Sequence, residues 1–143
     1  MKDEFDRLYE WAVWGHLNSK TDLELILLKG HLLLEAMIGT ALVRNNIHDS
    51  NDFSFYRKVK ALESIGFQDN AKKDFIIHSL TNLNKLRNKL AHDFHFDITN
   101  GELESWALCI IRDLKGEKYT KYTFRTKIVH SFSILSKNIL ELN

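Results

Sequence analysis

Residues 70–91, NAKKDFIIHSLTNLNKLRNKLA, decide the fold class. Phe75, Ile76, Leu80, Leu83, Leu86 and Leu90 recur at intervals of mostly three and four residues, which sets them on the inward face of an amphipathic helix. The same period extends to both sides. Residues 3–18 carry Phe5, Leu8, Tyr9, Ala12 and Val13 as an apolar stripe. Thr21 and Glu24 have the spacing of a capping box ahead of a second helix that runs to about residue 43. Its apolar residues wrap most of the circumference, which predicts the central helix of a bundle. After a polar turn at residues 45–52, Ser54 caps a third helix holding Val59, Leu62 and Ile65, closed by Gly66. Downstream, Thr99-Asn100-Gly101 breaks the chain, residues 102–114 make a fifth helix, and residues 122–142 a sixth. There is no internal repeat, low-complexity tract or linker. The predicted architecture is all-α, a single up-and-down helical bundle of five to six helices over residues 1–143.

Composition agrees. Proline is absent where average usage would give about seven in this length, as suits a chain that is mostly helix interior. With 143 residues the chain can bury one core. Its 20 basic and 19 acidic residues nearly cancel, so no global field draws it to nucleic acid or membrane. The single cysteine, Cys109, excludes an internal disulfide and any zinc site built on several thiolates; within its apolar run it reads as a buried, inert thiol. The first six residues alternate charges without the apolar stretch of a signal peptide. Glu24, Lys29, His31 and Glu35 interrupt the longest apolar region, which argues against a membrane span. A reduced, cytoplasmic protein is expected.

At the end of the fourth helix stand Arg87-Asn88-Lys89-Leu90-Ala91-His92. An arginine, an asparagine and a histidine supply an anion clamp, an orienting amide and an acid/base, enough to move a phosphoryl group without a metal. The plain alternative is a basic helix end followed by a turn histidine, with no chemistry. Asn88 and His92, four apart, share a helix face, whereas Arg87 and His92 lie about 140° apart on an ideal helix. Residues 92–97 alternate polar and apolar, the wrong period for a helix, so His92 is expected at the terminus, free to swing toward Arg87. A second copy of the motif across a two-fold axis would solve the same problem.

This hexapeptide resembles the arginine-polar-x-x-x-histidine signature of the HEPN superfamily of nucleotide-binding helical domains. The segment Phe53 to Leu62 followed by Ile65-Gly66-Phe67, and the apolar helix around His31 to Glu35, resemble the surroundings of that signature in HEPN proteins of the mannitol operon repressor type. The likeness spans roughly residues 21–111. It implies metal-independent RNA cleavage with two motifs facing across a homodimer, His92 as general acid/base, Arg87 on the phosphate and Asn88 orienting substrate or His92. Such chemistry selects RNA, because it needs the ribose 2′-hydroxyl. Where toxin members with nucleotidyltransferase antitoxins carry a modifiable tyrosine, this chain has Phe94, which excludes that regulation. The family implies two function classes. One is an endoribonuclease, as a toxin or phage-defence effector with an antitoxin or other regulatory partner. The other is a non-catalytic regulator or protein/nucleic-acid-binding module of the mannitol repressor type.

Weaker candidates surround the motif. Lys89, Lys121 and Arg125 are candidate substrate-binding cations; the last two belong to a basic, aromatic run over residues 112–127 suited to single-stranded RNA or to a solvated connection. Glu24, His31 and Glu35 fall within about 40° on the second helix. His31 and Glu35 either support Arg87 from across the bundle or form an ordinary i, i+4 pair, and the pair is favoured. No metal or cofactor is called for: no Glu-x-x-His pair exists, no glycine-rich phosphate loop appears, His78, four after Asp74 on the fourth helix, reads as structural, and His16, His48, His95 and His130 lack ligand spacing. Trp11, Trp14, Trp106 and Met37 read as core or interface. The expected homodimer places its axis near the fourth helix, with Tyr56, Phe94 and Phe96 as aromatic contributors.

Overall fold

Four helix starts are fixed by a side chain that accepts an otherwise orphaned backbone amide. Asp22 caps the second helix, Ser54 the third, Asp69 the fourth and Thr123 the sixth, the last as a full capping box with Thr126. In the computed structural model, which describes residues 2–18, 22–48, 52–115 and 123–142, the elements are α1 (Lys2–Asn18), α2 (Leu23–Arg44), α3 (Phe55–Leu62), α4 (Asn70–His92), α5 (Glu102–Leu114) and α6 (Phe124–Leu140). No strand occurs among the described residues, and the protein is an all-α helical bundle.

Local differences from expectation have simple causes. The second helix is capped by Asp22, whose carboxylate accepts from the amides of Glu24 and Leu25 at 2.8 and 3.3 Å; Thr21 lies outside the described residues. The third helix stops at Leu62 rather than at Gly66. Lys73, reaching from α4, donates to the carbonyls of Glu63 and Ile65 at 3.1 and 2.9 Å and so satisfies the backbone of the turn. The start of the sixth helix is Phe124, since Thr123 takes the cap, and Tyr122 lies outside the described residues.

The larger correction concerns the centre. From Ile128 to Leu140 every residue of α6 except Lys137 is buried, and α6 packs against α1, α2 and α5. Its hydrophilic sequence hid this. Ser131, Ser133 and Ser136 each donate their hydroxyl to the carbonyl three residues back, at 2.6–2.9 Å, so they are buried without an unmet donor. Gly30 of α2 faces the Phe132 ring so closely that a Cβ there would lie 2.6 Å from two ring atoms. Phe132 in turn leans on Trp106 of α5, with centroids 5.0 Å apart, and the Trp106 indole donates to the Ser79 carbonyl of α4 at 2.8 Å. Helix α2 buries Ile26, Leu27, Leu34, Ile38 and Leu42, yet leaves Leu25, Leu28, Leu32 and Val43 on the surface. It is the one described helix long and apolar enough to cross a membrane. It is a flank of the bundle rather than its axis.

Candidate functional site

Along α4 the apolar residues Ile76, Leu80, Leu83 and Leu86 are buried, which aims Asn84 and Arg87 sideways at α2. There they meet His31. Its Nε2 lies 3.0 Å from Asn84 Oδ1, and its ring stacks on Phe55, the first residue of α3, at 4.0 Å between centroids. An Nε2–H donating to that oxygen leaves Nδ1 as an acceptor. Burial lowers the His31 pKa from its ordinary 6.5; the Asn84 hydrogen bond opposes this, the Arg87 charge lowers it further, and the Glu35 charge raises it. Glu35, one turn on, accepts from Lys58 of α3 at 3.4 Å.

Of the polar stripe of α2, His31 is the member turned toward α4. The favoured i, i+4 His-Glu pair gives way to two cross-helix partnerships, His31 with Asn84 and Glu35 with Lys58. The physical reason is the length of the partners: an Asn from the facing helix reaches the imidazole edge directly, while Glu35 finds a cation on α3. Arg87, half-buried, acts electrostatically on the same histidine. Glu24, the third member of the stripe, is exposed. Asn84 and Lys58 escaped the sequence reading. The signal for Asn84 was its place three residues before Arg87, on the same side of α4.

His92 is the last residue of α4, as expected, and is exposed. The helix does not loosen before it, however. The Asp93 amide still donates to the Lys89 carbonyl at 2.8 Å, so helical geometry holds through His92 and separates it from Arg87 by about 140° around the axis. Within one copy, Arg87 points toward α2 and His92 toward solvent. The alternating segment beyond is not a strand but two turns, in which Asp93 accepts from the His95 amide and Asp97 from the Thr99 amide and hydroxyl.

The remaining candidates scatter. Asn88 is exposed, on the His92 side of α4. Lys89 donates to both carboxylate oxygens of Glu102 at 3.1 Å, tying the end of α4 to the start of α5. Arg125 is half-buried on the first turn of α6, whereas Lys121, with the rest of residues 116–122, lies outside the described residues. Arg112 is held by its neighbour Asp113. Of the aromatics expected at an interface, Phe94 is 96% exposed and Tyr56 exposed, but Phe96 packs against the core. Cys109 is half-buried rather than buried, on the wall of a cleft of about 680 Å³ between α4 and α5. Lys85, Lys89, Asn82 and Trp106 share that wall, on the side of α4 away from Arg87. Trp11 is on the surface, while Trp14 is half-buried with its ring edge on His130. His78, read as structural, contacts Asn82 on its own helix at 3.1 Å.

The chain matches no protein-family model, no curated protein and no solved structure.

Proposed function

We propose that this protein is a metal-independent endoribonuclease of the HEPN type, acting as a homodimer in a toxin or phage-defence setting. The observation that carries the reading is the polar cluster behind Arg87. A half-buried guanidinium stands beside a desolvated histidine, its asparagine partner and a carboxylate, while the motif histidine stands exposed at the open end of the same helix. No hydrogen bond or ion pair to Arg87 is found among the described residues, so its guanidinium keeps its donors for a phosphate.

The chemistry follows from the residue types. A neutral His92 imidazole removes the ribose 2′-hydroxyl proton, and the 2′-oxygen attacks the adjacent phosphorus. The bond to the 5′-oxygen breaks, and a protonated His92 from the second copy returns a proton to that oxygen, leaving a 2′,3′-cyclic phosphate. Arg87 neutralises the charge growing on the phosphate oxygens. Because Arg87 and His92 diverge on one helix, the productive pair is formed between copies. Asn88, on the His92 side, orients the substrate, and His31 with Glu35 supports Arg87.

The second reading keeps the fold and removes the chemistry. The half-buried position of Arg87 beside His31 also suits a cation that merely fixes α4 on α2, as in a regulator or binding module of the mannitol repressor type. The two readings part in a cleavage assay on purified protein with total RNA in excess EDTA. The ribonuclease reading expects cleavage with 2′,3′-cyclic phosphate ends. Activity that vanishes on chelation and returns with magnesium, or no cleavage at all, refutes it.

A further inference from the structure

The cleft of about 680 Å³ between α4 and α5 has two walls of different chemistry. One wall carries Gly101, Ser105 and Cys109, spaced four apart from the N-cap of α5 onward, and their short side chains leave the gap. The facing wall carries Asn82, Lys85 and Lys89 of α4, spaced by three and four residues. Leu86 and Trp106, each only 7% exposed, form the base. The Trp106 indole N–H is committed to the Ser79 carbonyl, so its ring offers the cleft only apolar surface. Small-molecule sites between the helices of bundles have this character: about 300–1,000 Å³, mostly apolar, with a few placed polar groups.

Charge in the cleft does not balance. Lys89 and Glu102 neutralise each other through two contacts of 3.1 Å. No hydrogen bond or ion pair to Lys85 is found among the described residues, which leaves one positive charge over. An exposed lysine alone would mean little. This one stands over an apolar base, and Asn82, whose amide contacts His78 at 3.1 Å, stands one turn before it on the same wall.

We infer that the cleft binds an amphipathic monoanion, a compound with a flat apolar body of one or two rings and a single carboxylate. The body lies between the helices on Trp106 and Leu86, and the carboxylate accepts from Lys85 and Asn82. The other ligand classes fit worse. A cation meets Lys85, and a sugar sets its hydroxyls against Trp106 and Leu86. A polyanion such as RNA finds no second unpaired cation in the cleft, since Lys89 is held by Glu102. The site does not rest on the ribonuclease reading, because the Arg87 cluster is on the other side of α4.

Cys109, the single cysteine of the chain, stands on the wall of the cleft, so its alkylation by uncharged iodoacetamide reports occupancy. The probe 2-naphthoate should slow the reaction saturably, with half-protection below about 1 mM, as suits so small a ligand. 2-Naphthylmethanol, the same body without the charge, should bind about five- to tenfold more weakly, and Lys85→Gln should remove that difference. Ser105→Phe, at an exposed position, fills the gap and should abolish the rise in melting temperature that about 5 mM 2-naphthoate gives the parent. No protection at about 5 mM, equal protection by acid and alcohol, or a Lys85→Gln protein that still prefers the acid overturns the proposal. So does a Ser105→Phe protein that 2-naphthoate stabilises as much as it does the parent. No RNA enters the assay, so its outcome is independent of whether the protein cleaves RNA.

Discussion

Replacing Gly30 by alanine tests the packing that holds the site-bearing helix in place. The added Cβ would lie 2.6 Å from two atoms of the Phe132 ring, a full 0.8 Å inside ordinary contact at 3.4 Å. Phe132 is fully buried and backed by Trp106, so the ring has no free direction in which to yield. Overpacking of this kind costs about 1–3 kcal/mol. Alanine regains about 1 kcal/mol of helix propensity, which leaves a net loss of up to about 2 kcal/mol. For a chain of this length each kcal/mol moves the melting temperature by roughly 3–4 °C. A fall of up to about 8 °C is therefore expected, with a matching loss in urea midpoint. Gly39→Ala is the internal control. With nothing near its Cβ, it should raise the melting temperature by up to about 3 °C, measured at a concentration low enough to keep the protein monomeric. If Gly30→Ala stabilises the protein as much as Gly39→Ala does, α2 does not lie against α6 as described.

Two other perturbations bear on the site and the core. His31 is held below its ordinary pKa of 6.5 chiefly by burial, so the unfolded chain binds its proton first. The stability this contributes is complete above about pH 6.5 and is lost as the pH falls from there toward the lower folded value. Urea midpoints between pH 8 and 5 should fall less for His31→Gln than for the parent; identical slopes would mean that His31 is not desolvated. Leu86→Ala, on the buried face of α4, should cost about 2–5 kcal/mol by leaving a cavity, read by the same melts, and a loss below 1 kcal/mol would contradict the burial assigned to it.

What the sequence could reveal depended on which interactions are local. Helix period and caps are local, so the Ser54 cap and residues 102–114 were placed without error and the fourth helix to within a residue. The centre of the bundle was misplaced because hydrophobicity alone cannot see a serine satisfied by its own helix. The serines of α6 are buried, while the leucines of α2 are partly exposed. In the site, Arg87 and His92 were legible as a motif, but their orientation was not. Whether a helix ends before or after its terminal histidine is settled by one backbone hydrogen bond, Asp93 to Lys89. The His31–Asn84 partnership joins residues far apart in sequence, and only packing could bring it into view.

The central claim is that His92 performs chemistry rather than ending a helix. Inducible expression of the parent beside His92→Ala, reading growth and the integrity of total RNA, tests it most directly. His92 is exposed, so its truncation should leave the melting temperature within about 0.5 kcal/mol equivalent of the parent. Loss of a positioned acid/base should slow cleavage about 10²–10⁴-fold. The expected result is arrested growth and fragmented RNA with the parent, and normal growth and intact RNA with an equally abundant, equally stable His92→Ala protein. Equal toxicity and equal RNA damage from the two proteins, or none from either, would contradict the account.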